Sequence, residues 1–186
     1  MIFKTNLMDS DAVMRTVRRM SHEIVEKNKG CDDLCLVGIL RRGVPIAQKI
    51  AENIKRFEGA DIPVGILDIA LYRDDISELS AQAHLNGTDI RFDVNGKKIV
   101  LVDDVLFTGR TARAAMEAII ALGRPSKIQL AVLVDRGHRE LPICANFIGK
   151  NFPTAKTEMI KVSVERFDGK TQVDLYDISD NNKNSI

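Results

Sequence analysis

Apolar residues follow two regular spacings along most of this chain. Short continuous apolar runs are typical of strands buried on both faces, and an apolar residue at every third or fourth position is typical of an amphipathic helix. The first pattern predicts strands at residues 34–40, 64–72, 97–103 and 127–134, and the second predicts helices at 10–28, 43–57 and 111–122. Because strands and helices alternate, we expect a doubly wound, mainly parallel α/β sheet.

The first two predicted helices have defined ends and faces. Asp9 or Ser10 suits the N-cap of the first helix, and Gly30 suits its end. The residues expected to face the core are Val13, Val17, Met20 and Ile24 in the first helix and Ile46, Ile50, Ile54 and Phe57 in the second.

Two regions depart from the alternation. Residues 72–95 are polar and lack a sustained stripe, so we expect a flexible loop that closes over a ligand, with a solvated insertion as the alternative. After residue 135, apolar pieces at 146–149, 159–164 and 173–176 predict a small hood over the carboxyl edge of the sheet. The chain is thus expected to be one domain, residues 1–186, with a core at about 10–135, a hood at about 136–176 and a frayed tail at 180–186.

The composition limits the class of protein. A chain of 186 residues with 45% hydrophobic and 28% charged residues suits one globular domain, and no apolar run approaches the roughly 20 residues of a membrane span. A net charge of +1 means that any surface for nucleic acid must concentrate its charge locally. Three cysteines without a CxxC spacing, and no signal peptide, indicate a reduced cytoplasm and no zinc site.

One segment combines a buried strand, an acidic pair and a turn that opens a helix. Asp103 and Asp104 come at the end of the predicted strand, where open α/β sheets bind ligands. Gly109 accommodates positive φ, so the turn can present backbone N–H groups, two threonine hydroxyls and a helix N-terminus to a phosphate. The residues expected to hold a ribose phosphate are Asp103, Asp104, Val105, Leu106, Phe107, Thr108, Gly109, Arg110 and Thr111.

This order of residues, DD followed by TGRT between a strand and a helix, resembles the phosphoribosyl pyrophosphate (PRPP) motif of type I phosphoribosyltransferases. The resemblance implies that fold, with the acidic pair on the ribose 2′- and 3′-hydroxyls and the turn on the 5′-phosphate. A buried strand that ends in acidic residues without binding a ligand is the alternative.

Such an enzyme must also hold the diphosphate leaving group. A second strand runs into the basic turn Arg41-Arg42-Gly43 at a helix start, which suits a doubly charged anion, and we expect a strained peptide at Arg41-Arg42. Arg73 in the flexible loop is expected to reach the diphosphate as the loop closes. Mg²⁺ is the expected cofactor, held mainly by the substrate, and the sequence shows no obvious general base.

The acceptor base of the reaction and a second function of the protein are implied by a closer resemblance. Segments at residues 22–24, 28–30, 68–75, 99–113, 129–142 and 149–154 are similar to the PyrR family of pyrimidine operon attenuation regulators and uracil phosphoribosyltransferases. VLVDRGHRELP, at 132–142, is more specific than the PRPP motif. The resemblance implies conversion of uracil and PRPP to UMP and diphosphate, a hood that reads the base with Arg136, and UMP-dependent binding of a leader mRNA hairpin. It also implies homodimers or homotetramers in the cytoplasm.

Helical geometry adds a separate indication of RNA binding. On the first predicted helix, four basic residues lie nearly opposite the apolar stripe, where a solvated face is the alternative reading. The RNA-binding residues expected from this face are Arg15, Arg18, Arg19 and His22, and the family resemblance adds His138, Arg139 and Lys150. Two departures from the relatives stand out. Arg18 replaces a threonine and adds phosphate attraction, whereas Cys144 replaces an arginine and removes a contact.

Two other functions stay open at this point. A catalytic-only phosphoribosyltransferase for uracil or a purine base would use the same PRPP motif without binding a hairpin. A nucleotide-sensing RNA regulator with negligible turnover would keep much of the same pocket to bind UMP.

Overall fold

A five-stranded parallel sheet and a smaller antiparallel sheet organise this protein, seen in a computed structural model that describes residues 1–69 and 87–179. The elements in chain order are β1 (Ile2–Met8), α1 (Ser10–Asn28), β2 (Leu34–Ile39), α2 (Gly43–Glu58), β3 (Val64–Leu67), β4 (Lys98–Leu106), α3 (Arg110–Leu122), β5 (Lys127–Asp135), β6 (Phe147–Asn151), β7 (Glu158–Ser163), α4 (Glu165–Asp168) and β8 (Gln172–Asp177). The large sheet has the order β3-β2-β4-β5-β6, and the small one has the order β1-β8-β7.

The two faces of the large sheet carry different helices. Helices α1 and α2 pack on one face, and α3 packs on the other. The predicted stripe of α1 is confirmed, since Met20 and Ile24 are fully buried, and Asp9 caps the helix by accepting a hydrogen bond from the N–H of Ala12 at 2.7 Å. This arrangement confirms the doubly wound α/β prediction and leaves the carboxyl ends of the strands together at one edge.

Several predicted strand boundaries were wrong by one or more residues. Strand β4 runs three residues past Asp103, because its pairing with β5 continues from Asp103–Val132 to Leu106–Asp135. The acidic pair therefore lies within the strand, whereas the prediction ended the strand at Asp103. Strand β3 ends at Leu67 instead of residue 72, and β2 ends one residue earlier than predicted.

The hood differs from the prediction in its composition. The segment at 146–149 was expected in the hood, but as β6 it pairs with β5 in the large sheet, since Phe147 and Ile148 pack into the cores on opposite faces. The hood sheet instead recruits β1, a strand that the apolar pattern did not predict. Its outer end leaves Ile2 and Phe3 more than half exposed, so no buried periodicity marks it.

The predicted flexible loop at 72–95 is described only in part. Residues 87–95 lie along the edge of the large sheet, where Asp89 forms a β-bridge with Ile66 and Val94 is buried, so this part is not a lid over the ligand. The rest of that loop, including Arg73, and the predicted frayed tail from 180 lie outside the described residues. Among the described helices, none is long and apolar enough to cross a membrane.

Candidate functional site

The acidic pair lies near the carboxyl end of β4, where backbone groups orient both side chains. The N–H of Asp104 donates to Oδ1 of Asp103 at 2.9 Å, and the N–H of Val105 donates to Oδ1 of Asp104 at 3.0 Å. Burial and the neighbouring Asp104 carboxylate raise the pKa of Asp103 well above its ordinary value. Burial also raises the pKa of Asp104, while the Asp103 hydrogen bond and the charge of Arg42 lower it. Successive side chains of a strand point to opposite faces, so Asp103 lines the cavity beside the next turn, whereas Asp104 lies within the electrostatic reach of Arg42.

The turn after the acidic pair forms a cavity of about 410 Å³ with Asp103 on its wall. Gly109 has φ 95° and precedes α3, which begins without a side-chain cap among the described residues. The N–H of Arg110 donates to Oγ1 of Thr108 at 3.4 Å, and Arg110 and Thr111 line the cavity, so the positive end of the helix lies at its wall. This geometry suits the predicted phosphate. The predicted residues on the cavity wall are Asp103, Val105, Leu106, Phe107, Thr108, Gly109, Arg110 and Thr111.

A loop after β5 supports this turn from one side. The N–H groups of Glu140 and Leu141 donate to the carbonyl of Thr108 at 3.0 and 3.1 Å, and Nε of Arg110 lies 2.9 Å from Oε2 of Glu140. The loop at 136–143 therefore fixes the main chain of the phosphate turn.

The second predicted turn lies beside the acidic pair. Its non-proline cis peptide is Leu40-Arg41, so the unusual peptide is one residue earlier than the predicted Arg41-Arg42. A side chain on Gly43 would place its Cβ 2.1 Å from the carbonyl oxygen of Val102, so only glycine lets this turn approach β4. Within residues 1–69 and 87–179, helix α2 also begins without a side-chain cap hydrogen bond, so its N-terminus is a second place suited to an anion.

The two arginines of this turn have different surroundings. Arg41 is exposed, whereas Arg42 donates from Nη2 to both carboxylate oxygens of Asp168 at 2.9 and 3.2 Å. Asp168 belongs to α4 in the hood. The structure thus brings Arg42 next to the acidic pair and gives it a partner that sequence reasoning missed. Nothing in the short segment around Asp168 indicated that it would meet Arg42.

Arg136 is buried between the large sheet and the hood. Its guanidinium lies 4.0 Å from the ring centroid of Phe107, and it donates to Oγ1 of Thr154 at 3.1 Å and to the carbonyl of Glu158 at 2.7 Å. Burial lowers its pKa. Arg136 therefore fastens the hood to the pocket wall, and its described hydrogen bonds go to protein groups.

Two predicted RNA-binding residues are engaged inside the loop at 136–143. Nε of Arg139 donates to the carbonyl of Ile143 at 2.9 Å, Nη1 donates to the carbonyl of Phe107 at 2.8 Å, and Nη2 pairs with Asp135. The ring of His138 hydrogen-bonds the carbonyl of Thr154. Both side chains brace the loop. Asp135 was not predicted, although it stands in the VDRGHRELP segment.

The basic face of α1 is partly tied to its neighbours. Arg19 pairs with Glu23 and donates to the carbonyls of Ile148 and Gly149 in β6, and His22 stacks on Phe57 with ring centroids 3.9 Å apart. The predicted residues that stay exposed without such a described tie are Arg15, Arg18 and Lys150. Lys150 follows Gly149, so the anchor at Arg19 joins α1 to the strand that carries Lys150.

Comparisons with known proteins agree with this geometry. Residues 4–164 match the family model of the phosphoribosyl transferase domain. The chain is 57% identical over 178 residues to the bifunctional protein PyrR of Acetivibrio thermocellus, covering 96% of this chain and 97% of that protein. It is also 57% identical to the bifunctional protein PyrR of Thermus thermophilus, covering 95% of this chain and 98% of that one.

Solved structures are similar in fold. A hypoxanthine phosphoribosyltransferase of Trypanosoma cruzi superposes with a TM-score of 0.71 at 15% identity, covering 94% of this chain and 97% of that one. A hypoxanthine phosphoribosyltransferase from Staphylococcus aureus gives a TM-score of 0.68, also at 15% identity, covering 92% of each chain.

Proposed function

The chain belongs to the PyrR family of bifunctional proteins, uracil phosphoribosyltransferases that also regulate transcription of the pyrimidine operon, and on this premise we propose how its residues carry out both tasks. It transfers ribose 5-phosphate from PRPP to uracil, which yields UMP and diphosphate. With UMP bound, it binds a hairpin in the leader of pyrimidine operon mRNA. The transfer reaction and the RNA binding both take place in the cytoplasm, where PRPP and the newly transcribed mRNA are found.

One observation supports the catalytic half most directly. The N-cap residues of helices α2 and α3, Arg42 and Gly109, supply no side-chain cap hydrogen bond, and the strands that lead into the two helices are neighbours in the sheet. Two positive helix ends therefore flank Asp103 and Asp104. PRPP has the matching order of groups, a diphosphate, a ribose and a 5′-phosphate. We assign the diphosphate to α2 with Arg41 and Arg42, and the 5′-phosphate to α3.

The chemistry follows from where charge develops. As the bond from C1′ to the diphosphate oxygen breaks, positive charge grows on the ribose, and N1 of uracil forms the new bond to C1′ and releases its proton to the departing diphosphate or to water. Asp103 and Asp104 hold the ribose hydroxyls and place negative charge beside that centre. Their carboxylate oxygens are ligands of the kind that Mg²⁺ prefers, so together with PRPP they would hold the ion, which when bound would supply positive charge that eases departure of the diphosphate. The turns orient both ends of PRPP, so positioning supplies much of the rate.

The regulatory half uses the exposed basic surface. Arg15 and Arg18 on α1 and Lys150 on β6 are available to RNA phosphates, which are attracted to lysine and arginine side chains. Arg19 holds α1 against β6 and thereby sets the spacing of these charges. The loop at 136–143 contacts the phosphate turn and follows β5, which pairs with the strand that carries Lys150, so we expect UMP in the pocket to affect this surface through the loop and β5.

Two assays on the purified protein test the proposal. Turnover is measured with PRPP, Mg²⁺ and a panel of pyrimidine and purine bases, and a leader hairpin is then titrated with and without UMP. We expect turnover with uracil and tighter hairpin binding with UMP. Absence of uracil turnover would leave the nucleotide-sensing regulator, whereas turnover without UMP-dependent hairpin binding would leave the catalytic-only enzyme.

The exposed basic residues carry a prediction about salt dependence. Arg18→Ala and Lys150→Ala should each weaken hairpin binding and lower the slope of log affinity against log salt by about 1, because one phosphate contact is lost. Uracil turnover should not change. Lys127→Ala, an exposed lysine at the amino end of β5, is the matched control and should leave the slope as it is. An unchanged slope in both test variants would place the RNA elsewhere.

Arg139 carries the opposite prediction. Arg139→Ala should weaken hairpin binding and leave the salt slope unchanged, because the guanidinium hydrogen-bonds carbonyls of the protein and makes no contact with an RNA phosphate. The free energy of unfolding should fall by about 2–3 kcal/mol, since the paired Asp135 and several carbonyls lose a charged donor. Urea unfolding and the salt titration check both parts. A lower slope with unchanged stability would assign Arg139 to the RNA after all.

A further inference from the structure

A line of alternating charges connects the hood to the acidic pair. Asp168 in α4 accepts two hydrogen bonds from Arg42, and the charge of Arg42 acts on Asp104. The three residues come from the hood, from the turn before α2 and from β4. No other part of the described chain links the hood to the diphosphate turn by an ion pair.

Asp168 is itself held firmly. Its Oδ2 accepts a hydrogen bond from the N–H of Val164 at 3.0 Å, and its side chain is only 17% exposed. That backbone hydrogen bond, together with the bond from Arg42, holds the pKa of Asp168 below its ordinary value, so the carboxylate stays ionised at neutral pH. A fixed anion of this kind restricts the long side chain of Arg42 to one orientation.

The hydrogen bonds leave part of Arg42 for a ligand. Asp168 uses only Nη2 of the guanidinium, and Nε is buried without a hydrogen-bond partner in the described chain. Because Nε is closed off from solvent, the group left for a diphosphate oxygen is Nη1, on a side chain that is 32% exposed, and a charge-assisted hydrogen bond from this nitrogen is strong.

We propose that Asp168 is a positioning residue for the diphosphate of PRPP, which acts by fixing the guanidinium of Arg42 beside the acidic pair. The inference rests on the proposed function, in which PRPP is the substrate. Its specific consequence is selectivity among ligands. UMP has no diphosphate, so its affinity does not depend on Asp168, whereas the affinities for PRPP and free diphosphate do.

The test measures binding of PRPP, diphosphate and UMP by calorimetry, together with steady-state kinetics. Asp168→Asn should raise the KM for PRPP and the dissociation constant of diphosphate about tenfold to thirtyfold, since Arg42 regains its rotamer freedom. The kcat and the UMP affinity should stay within about threefold. Asp168→Glu should restore part of the lost affinity. Glu158→Gln removes another hood carboxylate, which pairs with Lys4 at 2.6 Å, and serves as the control without effect.

A double-mutant cycle separates a role that acts through Arg42 from a general structural effect of Asp168. In an Arg42→Gln background, Asp168→Asn should cause no further loss of PRPP affinity, because its partner is already gone. Additive losses would overturn the inference, and so would equal losses of UMP and PRPP affinity. A wild-type protein that binds UMP but not PRPP would instead contradict the proposed function.

Discussion

Replacing Asp103 and Asp104 together with asparagine is expected to lower kcat/KM for PRPP by about a thousandfold or more while the protein stays folded. Their charges lie beside the ribose centre, and removing one preorganised electrostatic group typically costs about a hundredfold to a thousandfold in rate. Asparagine keeps the Oδ1 acceptors that bind the N–H groups of Asp104 and Val105, so the local backbone keeps its hydrogen bonds. Uracil turnover and far-UV circular dichroism test the two parts.

The same variant should be more stable than the wild type at neutral pH. Burial raises the pKa of Asp103, so between its unfolded and folded values the native state binds the proton more tightly. Stability therefore falls as pH rises through that window, and ionised Asp103 destabilises the wild type above it. Asparagine removes this cost. We expect a gain of roughly 1 kcal/mol at pH 7 that shrinks toward pH 4, measured by urea unfolding.

The chain offers a matched control in a second acidic pair. Asp32 and Asp33 precede β2 at the amino edge of the sheet, far from the candidate site in the parallel order. Replacing both with asparagine should leave kcat/KM within about twofold. Because the ion pair with Lys97 lowers the pKa of Asp33, this variant should lose stability at neutral pH, the opposite sign. Loss of turnover in the control, or full turnover in the Asp103 and Asp104 variant, would refute the assignment.

Gly43→Ala should damage both stability and PRPP binding. The new Cβ would lie 2.1 Å from the carbonyl oxygen of Val102 and 3.2 Å from Cα of Asp103, and both contacts are to backbone that cannot rotate away. The turn must therefore move from β4. We expect the free energy of unfolding to fall by about 3 kcal/mol and the KM for PRPP to rise more than tenfold.

The control separates this steric effect from the general cost of replacing a glycine. Gly59 ends α2 with φ 72° and has open space around its Cβ position. Gly59→Ala should lower stability by only about 1 kcal/mol, through backbone strain, and leave the KM for PRPP unchanged. Thermal unfolding and PRPP titration measure both variants. If Gly43→Ala behaves like Gly59→Ala, the close approach of the turn to β4 is not required for binding.

Local pattern was sufficient for the parts of the site that lie close together in sequence. The phosphate turn needs a strand, a small-residue turn and a helix start in succession, and Thr108, Gly109 and Thr111 supply them within a few residues. Gly109 has the positive φ that the turn requires. The apolar stripe of α1 could be predicted for the same reason, because helical spacing along a short segment decides which side chains share a face.

The pattern of apolar and polar residues did not predict which strands pair across long separations in sequence. Strand β1 forms by pairing with β8, about 170 residues away, so its stability comes from hydrogen bonds to a remote partner and not from its own residues. The end of β4 was misplaced for a related reason. Asp103 and Asp104 interrupt the apolar run, but the ladder with β5 carries the strand past them.

The sequence by itself determined the layered fold, the acidic pair, the phosphate turn and the family, because each depends on residues near one another along the chain. Only the tertiary structure decided which charges face a ligand and which face the protein. Arg139 was expected to contact RNA, but its guanidinium donates hydrogen bonds to the carbonyls of Ile143 and Phe107. Arg42 forms an ion pair with Asp168 from the hood. The reason is that a guanidinium reaches several ångströms from its backbone, and its partner is set by whichever segment the fold brings within that reach.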